Sequence, residues 1–311
     1  MADPSVGSWV HRVDARLPRR LRPVWRLPAR TVADSLADRV PGLAAEVAFF
    51  ALLSLPALLL MLLGSLGFLA EALGPQGGAE LSRLVFEVPR TFLTPGTYDS
   101  YSDVAKDVLS EGRAGVMSFG VLLSLWSGSR AAARLIDTVA IAYDLEDPRP
   151  IWHRRLLALG LTLGGLIVGI AVLPILVIGP QIVGLIASPS VEQAASGLVD
   201  LFFWPGMSLL VVLLLASFYH VAAPWKTPWR RDLPGAVLTV VIWMLAAAGL
   251  RLYVTFSLRD DGVFAQLAAP LAVVLWLYAT AFAVLVGAEL NAEIEKMWPH
   301  RDFPWHLRRS S

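Results

Sequence analysis

Apolar residues in this chain come in long runs rather than in the alternating rhythm of a half-buried strand or helix. Six runs stand out, at about 43–70, 115–141, 156–178, 198–220, 234–257 and 263–290. Each reaches the roughly 20 residues that a helix needs to cross a bilayer core. The pattern predicts an all-α polytopic membrane protein with six transmembrane helices, in a membrane domain over 41–296. Pro41-Gly42 opens the first run, where the missing proline N–H would be unpaired in any case. The third run stays apolar to Ala187, so Pro174 and Gly179-Pro180 are expected to kink it. A short interfacial or re-entrant piece should follow Ile178. Gly160, Gly164, Gly165 and Gly169 give that span two small-xxx-small spacings, which let another helix approach closely. Trp204-Pro205 falls in the first turns of the fourth span.

The polar stretches complete the plan. Residues 1–40 form a basic arm, in which 28–40 predicts an amphipathic helix with Val32, Leu36 and Val40 on one face. That helix is expected to lie on the membrane surface. No apolar core sits close to Met1 as in a signal peptide, so cleavage is not expected. Segment 71–113 carries seven acidic and four basic residues and two helical stretches, 79–92 and 98–111. It predicts a short helical exoplasmic cap between spans 1 and 2. Residues 297–311 form a basic tail.

With the N-terminus inside, twenty of the 26 Lys and Arg residues flank the cytoplasmic side, and five flank the other. The remaining one, Arg251, lies within span 5. This bias and the even number of spans predict an N-in/C-in arrangement.

Composition sharpens the class. The chain is 56% hydrophobic and 16% charged, with a mean hydropathy of +0.61; soluble domains carry nearer a quarter charged residues. Cysteine is absent, which removes disulfides, thiolate metal sites and cysteine nucleophiles. The five histidines are scattered, with no H-E-x-x-H pair. No G-x-S-x-G elbow or Walker A loop occurs either, so neither catalysis nor nucleotide hydrolysis is indicated. No cofactor, metal ligand or catalytic residue is predicted.

Candidate chemistry begins at Arg130, Arg134 and Asp137, whose i, i+4, i+7 spacing puts them on one helix face. At about 1.5 Å per residue they lie roughly 22–33 Å into span 2, near its inner end. Two readings stay open. The charges snorkel, with a local Arg134–Asp137 pair, or they line an inner vestibule that recognises phosphate or carboxylate groups. Ser127, Gly128 and Ser129 just before them would permit close helix contact or a lined cavity. Glu46, Glu289 and Glu293 are candidate partners; Glu46 or Glu289 paired with Arg130 would explain both buried charges at once. Glu289 follows a long apolar run and is expected to be buried, whereas Glu293 is expected to be hydrated. Arg251 either snorkels outward, or forms an outer gate or contacts an acidic residue of the 71–113 cap, with Gln266 as a candidate neighbour.

Several stretches resemble signatures of the YihY/virulence factor BrkB family. They are FFALLSLPALLL in span 1, WSGSRAAARLIDTVAIAYDLEDPRP after span 2, WRRDLPGAVLTVVIW at span 5 and LWLYATAFAVLVGAELNAEIE at span 6. They occur in the family's order from about residue 46 to 295. The resemblance implies a bacterial inner-membrane protein with six helices and no settled activity, among whose relatives ribonuclease, transport and lipid-related labels occur. The family's polar motifs correspond here to Ser129, Arg130, Tyr143, Arg149 and Pro150, and to Gly287, Glu289, Asn291 and Glu293.

The leading expectation is binding or translocation of an anionic amphiphile, a lipid above all, through an inner cavity bordered by spans 1, 2 and 6. Glu46 or Glu289 would then be proton-linked. A non-transporting membrane scaffold is the alternative, and ribonuclease activity is less favoured. The expected partners are anionic membrane lipids and no specific nucleic acid; oligomeric state is not legible.

Overall fold

The structure, a computed structural model, describes residues 22–72, 95–110, 114–144, 149–178, 189–225, 227–257 and 263–299. It also describes positions 79, 82–83, 85–87 and 89–90. The expected re-entrant piece after Ile178, residues 1–21 of the arm and residues 300–311 of the tail lie outside these. The described residues are helical almost throughout: α1 (Arg22–Ala37), α2 (Val40–Ala72), α3 (Pro95–Ser110), α4 (Ala114–Ala142), α5 (Ile151–Ile178), α6 (Pro189–Ala222), α7 (Leu233–Ser257) and α8 (Val263–Met297). A 3-10 turn, Trp229–Arg231, precedes α7.

Among the described residues, four segments are long and apolar enough to cross a membrane: Ile151–Gly169, Leu201–Ala222, Trp229–Ser257 and Pro270–Met297. Val40–Pro56 is a shorter apolar helix. Their outer faces carry exposed Leu163, Ile167, Leu209, Leu245 and Phe256. Large side chains outside and small ones inside suit a lipid solvent, where association depends on close packing.

Helix α8 is the hub, packing against α1, α2, α4 and α7. The main core gathers Ile136 and Val139 from α4, Ala216 and Tyr219 from α6, Ala236 from α7 and Val284 and Ala288 from α8. A second core joins Val40, Ala44 and Val47 of α2 to Ala281 and Leu285 of α8. Alanine recurs at these contacts because a small side chain lets two helix axes approach.

Several boundaries differ from expectation. Helix α1 starts at Arg22, runs through Pro28 and ends before Val40. A turn through Arg39, whose φ of 56° is left-handed, starts α2 there. Val40 is therefore buried in the next helix, while Val32 and Leu36 remain 59% and 62% exposed. Helix α5 begins at Ile151, not after Arg155, because Pro150 accepts the first helical N–H groups, those of His153 and Arg154. Arg154 and Arg155 thereby join the helix. Helix α6 begins at Pro189, so Trp204-Pro205 sits well inside it rather than in its first turns. On the glycine face of α5, a Cβ at Gly160, Gly164 or Gly165 would find nothing within 4 Å among the described residues.

Within the stretch expected to form the cap, α3 packs Ala105 against Val85 and Leu63. Tyr101 donates its hydroxyl to the Val85 carbonyl at 2.9 Å, and burial raises its pKa above the usual tyrosine range, followed by the nearby Tyr98.

Candidate functional site

The arginine stripe forms as spaced, and its partners come from three helices. Arg130 lays its guanidinium over the ring of Trp126, one turn earlier, at 4.1 Å from the centroid. Ser129 donates to the Trp126 carbonyl at 2.9 Å. One turn later, Arg134 Nε meets Glu46 Oε1 of α2 at 3.0 Å, with Asp137 Oδ2 at 4.0 Å from its Nη1. Asp137 Oδ1 in turn receives Arg154 Nη1 of α5 at 3.2 Å. A charged relay, Glu46–Arg134–Asp137–Arg154, thus runs from α2 across α4 to α5. These groups are half-exposed, so each pair contributes about 0–1 kcal/mol in water.

The expected pairing of Arg130 with Glu46 or Glu289 does not form. Helix α2 meets α4 one turn further along, where Arg134 stands, and Glu289 belongs to another cluster. A hollow of about 260 Å³ opens between α4 and α5, the second and third runs. Ser129, Arg130, Asp137, Arg154 and Arg155 make its polar lining, and Ala133, Ile136 and Ile151 its apolar one. Gly128 permits this approach of α4 to α5, since a Cβ there would come 3.0 Å from Thr162 Cγ2. A shallower hollow of about 530 Å³ lies beside Arg39, Pro41, Leu43 and Glu46.

The polar end of α8 makes a second cluster. Glu289 is 1% exposed, as expected; Glu293 is 2% exposed and not hydrated. The cause is α1, which covers this face of α8. Lys296 Nζ sits 3.1 Å from Asp34 of α1, 3.1 Å from Glu293 and 2.8 Å from Asp144, just past α4. Asp38 lies against Glu289, with its pKa raised by burial and then by the charge of Asp144. Asp144 has a left-handed φ of 52°, a conformation Asp adopts more readily than most residues.

The remaining motif residues form a packing seam. Tyr219 of α6 donates to the Val284 carbonyl at 2.7 Å and lies 2.7 Å from Thr239 Oγ1 of α7. Asn291 accepts the Gly235 N–H at 2.8 Å and donates to the Asp232 carbonyl at 3.2 Å. A Cβ on Gly287 would collide with Thr239 Oγ1 and Tyr219 Oη. One on Gly235 would strike the Gly287 carbonyl and Asn291. Arg149 donates to the Ala223 carbonyl, holding the α4–α5 connection to the end of α6. Tyr143 is buried beside it, its pKa raised by burial and then by the charges of Asp232 and Glu295. Pro150 is exposed ahead of α5. Arg231 bonds Glu295, and its Nη1 donates to the Trp298 carbonyl at 2.6 Å. Arg251 is exposed on α7 with its carbonyl accepting from Thr255 at 2.8 Å; the Gln266 side chain is outside the described residues. Among the described residues no group of three or more His, Cys, Asp or Glu is arranged to hold a metal ion.

Sequence reasoning missed Asp34, Asp38 and Asp144, which sit in polar stretches far from α8 in sequence. One signal was present: Asp34 and Asp38 repeat the i, i+4 spacing of Glu289 and Glu293.

A family model described as Virulence factor BrkB matches residues 31–310. The ribonuclease-like protein YfkH of Bacillus subtilis (strain 168) is 27% identical over 259 residues, 81% of this chain and 89% of its own length. A UPF0761 membrane protein of Tolumonas auensis is 25% identical over 281 residues, covering 88% and 84%. Another, from Vibrio cholerae serotype O1 (strain ATCC 39315 / El Tor Inaba N16961), is 28% identical over 129 residues, covering 39% and 43%. No solved structure matches this chain.

Proposed function

Because the chain belongs to the Virulence factor BrkB family of membrane proteins, we propose that it binds an anionic amphiphile, a lipid, and moves it between leaflets of the bacterial inner membrane. The reading has six spans, both termini in the cytoplasm and no catalysis. One observation carries it. The hollow between α4 and α5 sets Arg130, Arg154 and Arg155 against an apolar wall of Ala133, Ile136 and Ile151. Guanidinium forks suit phosphate and carboxylate oxygens, and the apolar wall suits the first part of an acyl chain. Arg130 is held by its ring face on Trp126, which keeps the edge N–H donors for a ligand.

The test is movement of labelled anionic lipid in proteoliposomes. Arg130→Ala is expected to slow it about tenfold, the effect of losing about 1.4 kcal/mol of charged hydrogen bonding. Arg130→Lys should not restore the rate, because an ammonium lacks the planar fork. Rates equal to protein-free vesicles across anionic lipid classes would overturn the proposal.

A scaffold is the second reading, favoured by the Glu46–Arg134–Asp137–Arg154 relay, which pairs two of the local arginines with carboxylates. It predicts no lipid movement and a loss of stability in Glu46→Gln. The ribonuclease-like name of the Bacillus relative is addressed by assaying metal-dependent RNA cleavage with the purified protein; none is expected.

A further inference from the structure

Two carboxyl pairs face each other where α1 meets the end of α8. Asp34, in the last turn of α1, and Asp38, just past its end, stand at i, i+4, and Glu289 and Glu293 stand at i, i+4 on α8. The strands of acid run antiparallel. Asp34 lies within hydrogen-bond reach of Glu293, and Asp38 within reach of Glu289.

The two rungs differ in their counter-charge. Lys296 contacts Asp34 and Glu293 directly, at 3.1 Å each, and Asp144 at 2.8 Å. Its ammonium makes no such contact with Asp38 or Glu289. Glu289 is 1% exposed, and its Oε2 is buried with no hydrogen-bond partner among the described residues. An ionised, unpaired carboxylate in that position carries a desolvation penalty of several kcal/mol. Two carboxyls within hydrogen-bond reach can bond only when one of them holds a proton. Of the described residues, α2 presents Val40, Ala44 and Val47 to α8, and α7 presents Gly235 and Thr239. Asp144 adds negative charge from the end of α4.

We propose that this junction is a proton-binding site, in which one proton is held between Glu289 and Asp38 while Lys296 bridges the Asp34–Glu293 rung. On protonation Glu289 becomes a hydroxyl donor to the Asp38 carboxylate; on release the proton passes to solvent by way of half-exposed Asp38. The site is separate from the α4–α5 hollow and does not depend on a lipid ligand.

The experiment is infrared titration of the full chain in lipid nanodiscs, in H2O and D2O. A carbonyl stretch of a protonated carboxylic acid should persist at neutral pH and shift in D2O. Glu289→Gln should abolish it. Asp38→Asn should lower its titration midpoint by about one unit, a tenfold loss of proton affinity, by removing a negative neighbour. No such band at neutral pH in the wild type overturns the proposal, as does a band that neither variant alters. Should Glu289→Gln not fold, Asp38→Asn decides: an unmoved midpoint sinks the assignment. No lipid movement enters this readout, so its failure and that of the lipid reading are distinguishable.

Discussion

At the scale of single residues, two glycines set the tightest constraint. Gly235 and Gly287 bring α7 against α8 so closely that a methyl group on either meets backbone or buried hydroxyl atoms. Gly287→Ala is expected to destabilise the protein by about 1–3 kcal/mol, the usual effect of overpacking, seen as a lower melting temperature in detergent. The open glycines of α5 should behave oppositely. Gly164→Ala adds a Cβ that meets nothing within 4 Å among the described residues and removes a helix-interior glycine that costs about 0.5–1 kcal/mol relative to alanine. An equal or higher melting temperature is the expected outcome. The sequence displayed both sets of glycines. What it could not display is which set has a neighbour, because small-xxx-small spacing describes one surface and not the other that meets it. Glu293 illustrates the same limit: its polar flank reads as hydrated until α1 is laid over it.

Among elements, α1 depends most on charge. Its Asp34 is tied to Lys296 at 3.1 Å, and its end presents Asp38, whose pKa is raised by burial and then by Asp144. A raised acid favours the docked state while protonated. That contribution is complete below the ordinary Asp value of about 4 and is lost as pH rises through the raised value. Spin labels at exposed Val32 and on α7 should therefore report wider separations at higher pH. In Asp38→Asn the distance should change less with pH. A wild-type distance that is constant from pH 4 to pH 9 would contradict this. The arm helix was legible from its apolar spacing, though its start and end were not, since a left-handed Arg39 leaves no mark in hydropathy. Span 3 was likewise legible except for its first turn, where Pro150 begins the helix five residues ahead of the apolar run.

For the molecule as a whole, orientation is the quantity to measure. The basic residues concentrate at the ends of the runs assigned to the cytoplasm, and the chain's lack of cysteine permits single introduced thiols. Ser100→Cys on α3 should react with an impermeant reagent in intact cells, while Ser311→Cys should not. The reverse pattern would invert the proposed topology. Apolar runs made the helices legible at this scale because lipid demands them. The site was less so: the partners of Lys296 are contributed by α1, α8 and the end of α4. Asp34 and Lys296 lie 262 positions apart, a separation no local pattern spans. The hub position of α8 has a consequence for the order of synthesis. Helices α1, α2 and α4 leave the ribosome with their α8-facing surfaces uncovered and stay so until α8 is made. Nascent chains arrested before Val263 should thus leave α1 open to protease, and protection should arrive in one late step, when Lys296 clears the exit tunnel.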